Sequence, residues 1–206
     1  MSDVAKKKTK LNLDPIYTEI SKLLLTKNPE QISFSMISRI TKVPRTTLYY
    51  YFNSKIENLI IESVRFSIKT LMQLWDSSSE SSLATMTQNF KTWDELQMFK
   101  FKEAIKLTLE SPWILRLYFR YCRDNNYIGK EIRFIKDSYL HSNNNLRSKF
   151  KENTLNLKAQ LYVSNIKLGI LWGLLDNENV WREEPEALAE ASTELFSYIT
   201  QSMNLK

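Results

Sequence analysis

The sequence predicts an all-α protein. Only three glycines and five prolines punctuate its 206 residues, and leucine, isoleucine, lysine and glutamate dominate the stretches between turn signals. Apolar residues recur at helical spacing, so long helices joined by short loops are expected. The length accommodates one domain of ordinary size and a smaller one. Residues 1–69 read as the small N-terminal unit and residues 70–206 as the larger helical one.

The first helix is expected from about Pro15 to Lys27. Asp14 is its N-cap, Pro15 takes the first position, where a missing N–H is no loss, and Ile16, Ile20, Leu23 and Leu24 face inward. A second, short helix starts at Ser33 or Ser35 and carries Phe34, Ile37 and Ile40 on one face. Thr41, Lys42 and Val43 form a turn. Pro44 opens a third helix, on which Leu48 and Phe52 pack back on Ile37 and Ile40. Asn53 or Ser54 then caps a long fourth helix, from Ser54 to about Trp75, with Lys55 in its first turn.

The polar run at 77–82 is a loop. Beyond it, helices are expected near Leu83 to Lys91, Trp93 to Leu109, Pro112 to Arg123, Tyr127 to Leu140, Leu146 to Asp176 with a break near Asn156, and Pro185 to Met203. Ile128, Ile132, Ile135 and Tyr139 make a core face at helical spacing. The Ser-Asn run from His141 to Asn145 reads as a loop.

Packing Leu48 and Phe52 inward leaves Arg45, Thr46, Thr47, Tyr49 and Tyr50 facing out. Two short helices around a tight turn dock the second of the pair in the major groove of duplex DNA, with its N-terminal residues on base edges. Ser35, at the start of the preceding helix, and Lys55 join them as candidate contacts. A lysine in a first helical turn opposes the helix dipole, and a phosphate between the two resolves the misfit. Charge agrees: residues 1–69 hold 12 Lys+Arg and 6 Asp+Glu, whereas residues 70–206 hold 17 of each. The whole net charge of +6 therefore lies in the N-terminal unit, as a polyanion partner requires. The leading Lys6, Lys7, Lys8 and Lys10 suit an arm that reaches a minor groove or neighbouring phosphates.

Ser33-Phe34, Ile37, Val43, Thr47-Leu48-Tyr49, Tyr51-Phe52 and Ser54-Lys55 stand in the order and spacing of the TetR/AcrR family's DNA-binding domain, without insertion or deletion. The segment resembles that of the tetracycline-repressor-like regulators. It departs from the family pattern at Ser38, at Lys42 where the family has a turn glycine, at Pro44 where it has a capping serine, and at Asn53 where it has proline. The resemblance implies a homodimeric regulator on a palindromic operator, released by a small molecule bound in the C-terminal unit.

That unit contains residues suited to both tasks. From Leu161 to Leu175 nearly every direction is apolar, which demands burial on two sides. Tyr162, Ile166, Gly169 and Gly173 lie there, and each glycine costs about 1 kcal/mol relative to alanine, so close backbone approach is the expected compensation. Leu188, Ser192, Leu195 and Ile199 form a stripe on the last helix. Family members dimerise through a four-helix bundle of the two corresponding helices, and these eight residues are the expected interface. All five tryptophans lie beyond residue 70. Trp113, Tyr118, Phe119, Cys122 and Trp172 are the candidates to line a site for an apolar or aromatic ligand. Arg116, Arg120 and Arg123 share one stripe and read as a solvated edge, or as partners of an anionic ligand or of Glu103 or Glu110.

An enzyme is not expected. The one histidine sits in a polar run and the one cysteine in an apolar helix, and neither a glycine-rich phosphate loop nor a cluster with metal-ligand spacing occurs. No cofactor or metal is implied. A single cysteine excludes an internal disulfide framework, and no apolar run reaches bilayer length, so a cytoplasmic protein is expected. The alternative within the same fold is a DNA-bound protein whose C-terminal unit binds another protein instead of a small molecule.

Overall fold

A computed structural model of the chain describes residues 11–73, 89–150 and 157–176, with 190, 191, 194 and 195. Among the described residues there is no β-strand, and eight α-helices follow one another: α1 (Asp14–Leu23), α2 (Phe34–Thr41), α3 (Arg45–Phe52), α4 (Ile56–Gln73), α5 (Trp93–Glu110), α6 (Pro112–Tyr121), α7 (Tyr127–Lys149) and α8 (Leu157–Asp176). The all-α expectation holds. The basic arm, the loop at 77–82, most of the helix near Leu83 to Lys91 and nearly all of the last helix lie outside the described residues.

Local chemistry moves several boundaries. Asn12 Oδ1 accepts the Asp14 N–H at 3.1 Å, so Asp14 lies inside α1 and Leu13 takes the cap position. The helix closes at Leu23, short of Lys27, because Leu25 and Thr26 donate to carbonyls three residues back, Lys22 at 3.1 Å and Leu23 at 3.0 Å. A larger correction concerns His141 to Asn145. This run is helical, and α7 continues through it to Lys149. Serine and asparagine lower helix propensity by only some tenths of a kcal/mol each, and no glycine or proline stops an established helix there.

A contiguous apolar core runs from α1 through α4 into α6, α7 and α8. Ile128, Ile132, Ile135 and Tyr139 of α7 are all buried in it. Where α1 crosses α4 the contact is polar and close: Ser21 Oγ lies 2.8 Å from Ser67 Oγ and donates to the Ser63 carbonyl at 3.1 Å. Three small side chains let the helices approach while leaving no buried hydroxyl unsatisfied. On its other side α4 meets α7 through Arg65, whose Nε and Nη2 reach Glu131 at 2.6 and 3.3 Å while Nη1 holds Glu62 at 2.7 Å.

Helix α6 closes the far end of α1. Tyr121 Oη donates to the Leu24 carbonyl at 3.0 Å and Arg120 Nη1 to the Leu25 carbonyl at 2.9 Å, so both satisfy acceptors that a helix end leaves open. Arg120 therefore holds α1 instead of a ligand or a carboxylate, while Arg116 and Arg123 are exposed. The first turn of α7 packs against the end of α6 at Gly129, where a Cβ would overlap the carbonyl oxygens of Tyr121 and Asp124. No helix among the described residues is long and apolar enough to cross a membrane.

Candidate nucleic-acid interface

Helix α2 begins at Ser33, whose Oγ accepts the Met36 N–H at 3.3 Å. Ser35, the other candidate cap, sits half-buried in the first turn. Phe34 and Ile37 are buried as expected, but Ile40 is 41% exposed. Successive steps of three residues drift 60° backwards around a helix, so the third member of an i, i+3, i+6 series leaves the stripe that the first two share. Leu48 and Phe52 are buried in the same core as Ile37.

The turn is built by Thr41 and Lys42. Thr41 Oγ1 donates to the Ile37 carbonyl at 2.8 Å and accepts the Val43 N–H at 3.4 Å. Lys42 lies in the left-handed region at φ 60°, ψ 15°, the conformation glycine enters most freely. Pro44 then occupies the N-cap position in extended conformation, with φ −58° and ψ 141°. Helical residues start at Arg45, one later than expected, and the Pro44 carbonyl accepts from Thr47 at 3.0 Å and Leu48 at 3.2 Å. Proline has no side-chain acceptor, so the first turn of α3 carries no side-chain cap.

The buried side of α3 is Leu48 and Phe52, and its remaining surface is open. Arg45 and Thr46 are exposed and Thr47 half-buried. Tyr50 is 83% and Tyr49 40% exposed, the latter held edge-on against Phe34 with ring centroids 4.7 Å apart. Tyr51, absent from the expected contacts, is also exposed and stands edge-on to Tyr50 at 5.6 Å. Exposed Arg39 and Lys42 add two cations beside the turn. A signal for both was present in the charges that flank the turn.

Asn53 and Ser54 do not cap α4. Both are left-handed, at φ 52° and 56°, and both N–H groups turn back to the Tyr49 carbonyl, closing α3. Lys55 is consequently the residue before α4, exposed, with its N–H on the Phe52 carbonyl at 3.0 Å.

In the C-terminal half, α6 and α8 bring part of the expected ligand set together. Phe119 meets Trp172 at 4.6 Å and Tyr118 at 5.4 Å. Trp113 and Cys122 are half-buried against the same core, whereas Tyr118 is buried within it. Burial pushes the Tyr118 hydroxyl up to about 12 and raises the Cys122 thiol as well.

Of the expected interface residues, Leu188, Ser192, Ile199 and the Tyr162 side chain lie outside the described residues. Leu195 is 51% exposed. On α8, Ile166 is half-buried, and Asn165, Gly169, Trp172, Gly173 and Asp176 form one exposed stripe. Among the described residues, nothing outside the backbone of α8 itself lies within 4 Å of a Cβ built on Gly169. No family model matches this sequence, and no curated protein matches it.

Proposed function

We propose that this chain is a DNA-binding transcriptional regulator of the TetR/AcrR type, acting as a homodimeric repressor that a small molecule releases from a palindromic operator. One observation carries the reading: a single short helix, α3, is anchored by Leu48 and Phe52 while Arg45, Thr46, Tyr49 and Tyr50 stand open on it. Confinement of the net positive charge to residues 1–69 supports a polyanionic partner for that surface. The exposed glycine and tryptophan stripe of α8 supports a second copy, which places two α3 helices on groove faces about 34–36 Å apart or somewhat more. Operator and inducer then weaken each other by the same factor.

The test is binding of the purified protein to an operator selected from random duplexes. Arg45→Ala should lose about 1–3 kcal/mol at the selected site and blur base preference, whereas Lys55→Ala should weaken all duplexes alike and flatten the salt slope by about one unit. Equal loss on selected and random DNA for Arg45→Ala removes its base-reading role. A second reading, a DNA-bound protein that recruits another protein, is favoured by Phe134, 66% exposed on α7, and by exposed Phe99, whose ring centroid lies 5.1 Å from that of Phe90. Loss of a co-purifying partner from Phe134→Ser, with operator binding intact, would select it.

A further inference from the structure

Residues 31–56 contain four cations, Arg39, Lys42, Arg45 and Lys55, and no carboxylate. All four are exposed. Three of them already have an account. Arg39 lies in the last turn of α2, where the carbonyl end of a helix favours a cation. Arg45 opens α3 as the proposed base reader, and Lys55 follows α3 as a proposed phosphate contact.

Lys42 has no such account within the fold. It ends α2 in the left-handed region, at φ 60° and ψ 15°, where a Cβ is crowded and glycine is free. Its side chain does nothing to hold that turn. Thr41 Oγ1 makes the side-chain bonds there, to the Ile37 carbonyl and from the Val43 N–H, and among the described residues the Lys42 ammonium has neither a hydrogen bond nor an ion pair. A side chain kept in a sparsely populated backbone conformation, and unused by the packing around it, directs attention to function.

We propose that Lys42 holds a DNA backbone phosphate on the turn side of α3. This rests on the DNA-binding reading above and adds a contact to it. A helix that enters the major groove by its N-terminal residues brings the turn before it to the rim of the groove, where the phosphates run. Lys42 stands three residues ahead of Arg45, so α3 has one exposed lysine beyond each end, Lys42 before Pro44 and Lys55 after Ser54. An ammonium suits this place, because it acts on a phosphate as a point charge on a flexible stem and needs no fixed fork geometry. The two lysines then fix the register of α3 without reading sequence, and discrimination is left to the residues between them.

The test uses the full chain, a selected operator and a random duplex of equal length, titrated over a range of salt, with urea unfolding in parallel. Lys42→Gly relieves the backbone and removes the charge. It should bind both duplexes more weakly, on the order of threefold to tenfold at equal salt, and flatten the salt slope by about one unit per chain, while its urea midpoint does not fall. Lys42→Asn, neutral and tolerant of the left-handed region, should match the glycine variant, so a loosened turn is not the cause. Lys42→Arg should restore affinity and slope. The proposal is overturned if Lys42→Gly binds both duplexes as tightly as the parent, if its loss is confined to the selected operator, if its salt slope is unchanged, or if Lys42→Asn keeps the parent's affinity. Should Lys42→Gly fail to fold, the comparison of Lys42→Asn with Lys42→Arg decides. A parent that binds no duplex overturns this contact and the DNA-binding reading together, whereas a parent that binds with Lys42→Gly unaffected overturns the contact alone.

Discussion

Lys42 and Gly129 carry opposite backbone demands, and each yields a prediction at the scale of one residue. Lys42 keeps a side chain where φ is 60°, a conformation that costs an L-residue about 1–2 kcal/mol. Lys42→Gly removes that strain but adds freedom to the unfolded chain, worth about 0.5–1 kcal/mol, so a net gain of up to about 1 kcal/mol is expected. A lower urea midpoint for Lys42→Gly would mean that the turn is not strained. Gly129 has the reverse problem, because the carbonyls of Tyr121 and Asp124 occupy the space of a Cβ. Backbone atoms cannot rotate aside, so Gly129→Ala should cost about 1–3 kcal/mol as an overpacked site does, read as a lowered midpoint at unchanged slope. An Ala variant as stable as the parent would show that α7 can shift its first turn freely. Sequence alone marked Lys42, since a turn glycine was expected there, but not Gly129, whose crowding comes from a neighbouring turn that no spacing rule reveals.

Between elements, the fork of Arg65 on Glu131 ties α4 to α7 while a third bond holds Glu62. Glu131 is largely buried and Arg65 about two-fifths exposed, 14% and 39% of their side chains, so solvent screens part of the attraction and a coupling of about 1 kcal/mol is expected. A double-mutant cycle of Arg65→Met and Glu131→Gln by urea unfolding checks this, and coupling below about 0.3 kcal/mol would make the pair incidental to α4–α7 packing. Guanidinium bonding to Glu131, the largest influence, raises the Arg65 pKa. Elements themselves were largely legible in the sequence. Strong periodicity and capping residues located α1 through α6, and the isoleucine stripe of α7 was correct residue by residue. What failed were features decided by energy balance or distant partners: the extension of α7 through His141 to Asn145, the outward turn of Ile40, and the use of Asn53 and Ser54 to end α3. Arg65 with Glu131, and Ser21 with Ser63 and Ser67, join residues 42 to 66 positions apart, which periodicity cannot anticipate. For the candidate DNA surface, sequence picked out the outward residues of α3, missing Tyr51 and Arg39.

For the whole molecule the question is what covers the exposed stripe of α8. Among the described residues Gly169 has open space around the position of a Cβ, so a side chain there should stabilise the helix by about 1 kcal/mol through propensity alone. In the proposed dimer the same position lies where two backbones approach, and a leucine forces them apart. Gly169→Leu therefore separates the two accounts by sign. A monomeric protein should gain stability from it, whereas a dimer should lose association and, because paired half-sites act together, most of its operator affinity. Sedimentation of parent and variant at micromolar concentration, with operator titrations in parallel, measures both. The expected outcome is a dimeric parent, a predominantly monomeric Gly169→Leu, and at least a hundredfold weaker operator binding with little change on random duplexes at equal salt, since Arg45, Thr46 and Lys55 remain in place on each chain. A parent that sediments as a monomer, or a variant that stays dimeric with unchanged affinity, removes α8 from the interface. Trp172, 39% exposed on the same stripe, gives an independent reading, because its indole should move to a less polar environment and its fluorescence shift to the blue as protein concentration rises through the dimer dissociation constant.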